Sequence, residues 1–386
     1  MTAFDFSMRT QLVFGPGSVT RIGDLARSEG AQRVFLITDS GIVSAGHVDR
    51  VEKLLAEAGL ECRRFDAVPS NPSSSDVDRC RAALGTWDAD LLIGLGGGSS
   101  IDAAKGCNFL RAGGGRMEDY WGVGKARGEF LPLIAVPTTA GTGTEVQSFA
   151  LISQDGTDQK MACGDPRATP KIAILDPVLT LTQPRPVTAC TGIDALGHAV
   201  ETAVTKSRTE LSQVFSTAAF GLIVTNLPRV LERPDDVEAR GLMLRAAAFA
   251  GIAIENSMLG AAHSMANPLT AHYGIEHGQA VGMCLPAVVR FNQVDQTARG
   301  VYAELARGAR LCDVEESDAD AAAALALCID SLLRVAGFDA SLSACGVPGI
   351  AAQDLAKEAA QQWTAQFNPR PVTAVEFEQL FAAALA

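Results

Sequence analysis

The sequence of 386 residues predicts an α/β N-terminal half joined to an all-α C-terminal half. Three observations carry this. Short apolar runs alternate with amphipathic segments through the first half of the chain. The alternation stops at two closely spaced prolines, Pro184 and Pro186, and only helical periodicities follow. One early apolar run also leads directly into Gly96, Gly97 and Gly98, a strand-to-helix turn of the kind found in parallel sheets. The length exceeds what one ordinary core fills, so two domains are expected, residues 1–183 and 184–386.

The elements follow in order. Residues 33–38 (RVFLIT) form a nearly continuous apolar run, as in a strand buried on both faces. Residues 47–58 repeat apolar side chains at Val48, Val51, Leu54, Leu55 and Ala58, one face of a helix. Pro69 and Pro72 bracket a turn, and residues 73–84 read as the next helix. Residues 90–95 form a strand running into the glycines, and residues 131–136 and 172–175 supply two more. Such alternation implies a mostly parallel sheet with helices on both faces. Residues 181–186 read as a linker, because prolines cannot continue a helix. Beyond it, residues 188–205, 210–226, 235–255, 301–307 and 319–336 read as helices. Alanine and glycine are abundant and aromatics are 6%, so close helix packing is expected.

Composition narrows the function. Thirty-two basic against 44 acidic residues give a net charge of −12. Nucleic acid and anionic membrane are therefore not expected partners, since both need a basic face. Nine cysteines without C-x-x-C spacing read as reduced thiols of a cytoplasmic protein. The first ten residues lack the apolar core of a secretory signal. The longest candidate for a membrane span, residues 246–254, is half the roughly 18 residues required and reads as a buried helix.

Only five histidines are present. Asp194 and His198 lie four residues apart, on one face of a helix. His263 and His277 follow at a distance. Three imidazoles and one carboxylate suit a first-row divalent ion such as Fe(II) or Zn(II). His47 reads as a surface residue. The segment from Gly96 to Lys105 follows a strand and opens a helix, so its backbone N–H groups can meet a pyrophosphate; a plain tight turn is the alternative. The hydroxyl-rich loop from Pro137 to Glu145 can bind ribose or phosphate, or simply cap the next element. Asp39 ends the first long strand, where an acid binds a ribose 2′-hydroxyl and repels a 2′-phosphate; it can equally be a helix N-cap.

These segments occur here in one order with the Ala173–Pro177 strand end, and together they resemble the iron-containing (group III) alcohol dehydrogenase family from Phe14 to about Asn292. The resemblance implies a dehydroquinate synthase-like architecture with an NAD-binding α/β domain and a helical metal-binding domain. It implies that Asp194, His198, His263 and His277 hold iron, with zinc an alternative. Gly97, Gly98 and Ser99 would hold the pyrophosphate, supported by Asp102, and Asp39 the adenosine ribose. Thr138, Thr139, Thr142 and Phe149 would line the cofactor, Lys160 would reach the nicotinamide ribose, and Asn71 lies on a loop that approaches the cofactor. Phe149, Leu151, Ile254 and Leu259 are also candidate pocket walls. His277, His272 and Asn267 are the candidates for contact with the reacting groups. Asn267 stands where many members carry a second histidine; asparagine hydrogen-bonds but does not titrate, and His272 is the candidate substitute. The implied activity is hydride transfer between NAD(H) and a small alcohol or carbonyl, in a homo-oligomer of two or more chains. A metal-free oxo-acid reductase of the maleylacetate reductase type is the alternative. A lyase of the dehydroquinate synthase type and a nucleotide-responsive binding protein without turnover stand further off.

Overall fold

The computed structural model describes residues 4–157, 159–339 and 341–386. It divides into two compact units. One is Met8–Gln183; the other is Pro184–Ala386, together with residues 4–7.

The first unit holds nine strands: β1 Gln11–Phe14, β2 Arg33–Ile37, β3 Glu61–Phe65, β4 Leu91–Gly96, β5 Gly122–Val123, β6 Leu133–Pro137, β7 Phe149–Ser153, β8 Lys160–Gly164 and β9 Ile172–Leu175. Its helices are α1 Ile22–Ser28, α2 Ser40–Ser44, α3 His47–Glu57, α4 Ser74–Leu84 and α5 Gly98–Gly113. Six strands form a sheet in the order β1-β9-β6-β4-β2-β3, with every pair parallel. The other three form a small sheet, β5-β8-β7.

The apolar runs become strands because both faces are covered. Val34 and Leu36 join one apolar cluster with Ile93 and Val136. Phe35 and Ile37 point the other way and join Leu92, Ala103 and Ala104. β3 was not anticipated. Its Glu61, Arg63 and Arg64 are exposed, and as an edge strand it needs no continuous apolar run. From β2 the chain moves outward to β3, then returns to place β4 on the other side of β2 and continues to β6 and β9. The direction reverses between β2 and β4, and the crevice at the carboxyl ends of such a pair is where open α/β sheets hold ligands.

The second unit is helical: α6 Arg185–Val204, α7 Glu210–Glu232, α8 Val237–Ser257, α9 Ala261–Tyr273, α10 His277–Asn292, α11 Gln296–Gly308, α12 Asp318–Ala336, α13 Ala352–Gln361 and α14 Ala374–Leu385. Two expectations need correction. Pro186 is not part of a linker but lies in the first turn of α6, with Pro184 as N-cap; an N–H is not needed there and the fixed φ suits a helix start. The second concerns membrane-spanning length: α7 is long and apolar enough to cross a membrane by length and composition. It packs instead between α6 and α8, where Phe215 stacks on Phe6 and meets Phe249 edge-on.

Candidate functional site

The helical unit brings all four expected metal ligands together. Asp194 lies in the middle of α6, well past the capping turn, and His198 is one turn further on. His263 is in the first turn of α9 and His277 opens α10. α10 can approach α6 this closely because residue 278 is glycine: a Cβ there would lie 2.0 Å from the Cys190 carbonyl oxygen.

One oxygen, Asp194 Oδ1, faces an Nε2 from each histidine, at 3.6 Å for His198, 3.6 Å for His263 and 3.8 Å for His277. Asp194, His263 and His277 each offer a ligand atom within 4.8 Å of the others. The rings of His198 and His263 stack at 4.8 Å. These separations are too long for hydrogen bonds. They are close to the spacing of about 3.4 Å expected between ligands about 2.1 Å from a tetrahedral ion. Asp194 Oδ1 and His263 Nε2 are buried and have no hydrogen-bond partner. Burying such atoms costs about 1–3 kcal/mol each, and a divalent cation relieves both. The donor set therefore fits Fe(II) or Zn(II).

The electrostatics make Asp194 a ready ligand and make an ion compete with a proton at His263. Burial alone would raise the Asp194 carboxyl, but the His198, His263 and His277 imidazoles outweigh it and hold the group well below the ordinary carboxylate range. Burial alone would make His263 less basic; the carboxylates of Glu201 and Asp194 reverse this and hold it up to about 9. Glu201 was missed in the sequence. Its Oε2 lies 2.5 Å from His263 Nδ1. The stripe Asp194, His198, Glu201, at i, i+4 and i+7 of one helix face, is the signal that could have found it.

The other expectations in this unit separate. Asn267 is four residues after His263, and its amide donates to Gln362 Oε1 at 2.8 Å. His272 is nine residues after His263, about half a turn out of phase. It is exposed and lies 2.8 Å from Glu358. The structure thus turns it away from the ligand face, which removes it as the substitute for the missing histidine.

In the α/β unit, a cradle forms at the switch point. Asp39 is the N-cap of α2, its Oδ1 accepting from Gly41 and Ile42 N–H, while Oδ2 accepts from Ser100 at 3.0 Å. Both alternatives for Asp39 are thus compatible: it caps, and it stays half-exposed. Gly96 has φ 147, and a Cβ there would meet the Ser100 hydroxyl at 2.5 Å, so glycine is required. The threonine loop closes on the glycine turn. Thr138 N–H donates to the Gly96 carbonyl, and Thr139 and Thr142 lie over Gly97 and Gly98. Asn71, at φ 52, donates its N–H to the Ser99 hydroxyl oxygen.

Beneath the cradle lies a second buried charged cluster. Lys105 Nζ donates to the Thr144 carbonyl, the Thr144 hydroxyl and the Phe149 carbonyl at 2.6–2.7 Å. Asp102 accepts from the Thr144 hydroxyl and from Leu151 N–H. Burial raises the Asp102 carboxyl; Lys105 and, to a smaller extent, Lys160 at the start of β8 offset that only in part. The Phe149 ring covers Gly164. His47 corrects another expectation: it is buried at the start of α3, its Nε2 2.8 Å from the Thr182 hydroxyl.

Comparison with known proteins bears on both units. Residues 9–177 match the family described as iron-containing alcohol dehydrogenase, and residues 188–385 match the Fe-containing alcohol dehydrogenase family, C-terminal. The chain is 33% identical over 373 residues to the NAD-dependent methanol dehydrogenase of Bacillus methanolicus, covering 97% of each chain. It is 31% identical over 382 residues to the 1,3-propanediol dehydrogenase of Klebsiella pneumoniae, covering 98% of each. Among solved structures, sulfoacetaldehyde reductase from Bifidobacterium kashiwanohense in complex with NAD⁺ superposes with a TM-score of 0.91 at 27% identity, covering all of both chains.

Proposed function

The chain belongs to the iron-containing alcohol dehydrogenase family, and from that premise we propose that it transfers a hydride between NAD(H) and a small alcohol or diol and the matching carbonyl compound. The single observation that carries the metal dependence is the meeting of three imidazole nitrogens around one buried carboxylate oxygen without a hydrogen-bond partner. Asp194, His198, His263 and His277 would hold the ion, Fe(II) or alternatively Zn(II). When bound, such an ion supplies Lewis acidity to an alcohol or carbonyl oxygen, and NAD supplies the hydride acceptor.

The chain's own residues do the rest. The N–H groups that open α5 and the absence of side chains at Gly97 and Gly98 favour a pyrophosphate, with Ser99 beside it. The exposed part of the Asp39 carboxylate accepts from ribose hydroxyls and repels a 2′-phosphate, which favours NAD over NADP. Thr138, Thr139, Thr142, Phe149 and Lys160 are assigned to the rest of the cofactor, and Asn71 to the rim. Asn267 orients a substrate oxygen through its amide, which Gln362 steadies. In this reading residues 1–183 bind the cofactor and residues 184–386 the metal, in a cytoplasmic homo-oligomer. The nine free cysteines support the reducing compartment.

The metal-free oxo-acid reductase reading gives the Asp194 cluster no partner, and the binding-protein reading leaves it without a task. One experiment separates all three. The purified protein is analysed for bound metal, then mixed with NAD⁺ and a panel of short alcohols and diols while the reduced cofactor is followed. Metal-dependent formation of NADH is expected. Turnover that survives complete metal removal would favour the oxo-acid reductase; bound metal and NAD⁺ without turnover on any alcohol or carbonyl would favour the binding protein.

A further inference from the structure

We propose that Glu201 is a positioning residue for the metal: it fixes the orientation and tautomer of His263, so that Nε2 is presented to the ion as a lone pair. The inference rests on the metal-site reading above. The geometry that carries it is bidentate. Glu201 Oε1 accepts from Ala262 N–H at 2.6 Å, in the first turn of α9. Glu201 Oε2 accepts from His263 Nδ1 at 2.5 Å. The backbone just before the histidine thus sets the angle of the carboxylate, and the carboxylate sets the angle of the ring. With Nδ1 donating to Glu201, that nitrogen keeps its proton, and Nε2, facing Asp194, is the one that gives up its proton to offer an ion a lone pair.

The surroundings are built for this contact. Glu201 is buried on α6, on the face that carries Asp194 and His198. A Cβ at Gly260 would stand 3.1 Å from Glu201 Oε1 and 3.2 Å from Asn368 Oδ1, so the bare backbone lets both side chains close on the start of α9. Asn368 is itself locked to Asn292 of α10 by bonds of 2.8 and 3.1 Å. Glu201 also contributes charge. Asp194 and Glu201 together carry two negative charges against the two positive charges of a divalent ion, which leaves the buried group near neutrality.

The test compares the wild-type protein with Glu201→Gln and Glu201→Asp. Zinc affinity is measured by competition with a chromogenic chelator, and His263 is observed by ¹⁵N NMR in the zinc-loaded protein. Glutamine can accept only one of the two bonds, and aspartate is too short to make both. Zinc binding is expected to weaken about 10–100-fold in each variant, as for other outer-shell partners of metal ligands. In the wild type, His263 is expected to show a strongly downfield Nδ1 proton that moves upfield in Glu201→Gln. If Glu201 only capped α9, thermal stability would drop while zinc affinity and the His263 signal stayed as in the wild type; that result overturns the proposal. Should the variants not fold, the wild-type spectrum still decides: an Nε2-protonated His263, or an ordinary Nδ1 proton, overturns it. A wild-type protein that binds no zinc would instead sink the metal-site reading itself.

Discussion

Each unit buries one charged cluster, and the two are built on opposite rules. In the α/β unit, Lys105 gives its protons to three acceptors, and Asp102 receives the Thr144 hydroxyl and a backbone N–H. That network is closed. In the helical unit, Asp194 Oδ1 and His263 Nε2 face each other at 3.6 Å without a hydrogen bond. That network is open. A buried polar atom without a partner is destabilising, and a cation shared by these two atoms and the two further imidazoles would offset that cost. The closed cluster holds loops together; the open one has the donor set of an ion site.

The largest effect is expected for Asp194→Ala combined with His198→Ala. Bound metal should fall below detection and activity by more than about 100-fold, since even outer-shell partners cost about 10–100-fold. Elemental analysis alongside turnover checks this, and full activity in metal-free buffer would erase the distinction between the clusters. Lys105→Met should do the reverse. It leaves Asp102 without its cation and lowers stability by about 3–5 kcal/mol, read by denaturant unfolding, while the folded fraction keeps its metal.

Glu145, beside Lys105, tests the closed cluster through pH. Burial pushes its carboxyl up to about 7 from an ordinary 4.5. The folded protein holds that proton where the unfolded chain has released it. Stability should therefore fall as pH rises between those values, by up to about 3 kcal/mol. Glu145→Gln should flatten that window in thermal melts across pH. The smallest effect is expected for Asp39→Asn, which keeps a capping oxygen for α2 but removes the charge. The preference for NAD over NADP should relax by about tenfold, or ~1.4 kcal/mol. An unchanged cofactor ratio would assign Asp39 to capping alone.

How much was legible follows from the same contrast. β2, β4, β6 and β9 could be read because a strand buried on both faces leaves a continuous apolar run. β3 could not, since an edge strand carries charge freely. The ligands stood out because histidines are few and Asp194 and His198 share a helical face. Asn368 did not, because its partner lies about 110 residues away and nothing local marks it; Glu201 shares the helical face of Asp194 and His198, but the partner that gives it a role lies about 60 residues away. His47 was misplaced for a related reason: the apolar periodicity of α3 describes its middle, while its first residue is covered by Thr182, far along the chain. Pro186 was read as a break because proline excludes a helix interior, but the first turn is the exception.

The glycine at position 278 has a consequence beyond packing. Because the Cys190 carbonyl sits where a methyl group would have to go, the gap between α6 and α10 is as narrow as two backbones permit, and the distance from Asp194 to His277 is inherited from that gap. The cage is thus gauged by main chain rather than by adjustable side chains. An alanine at this one position would press its methyl group on the Cys190 carbonyl and on the Asp194 Cβ, and so resize the cage from the main chain outward.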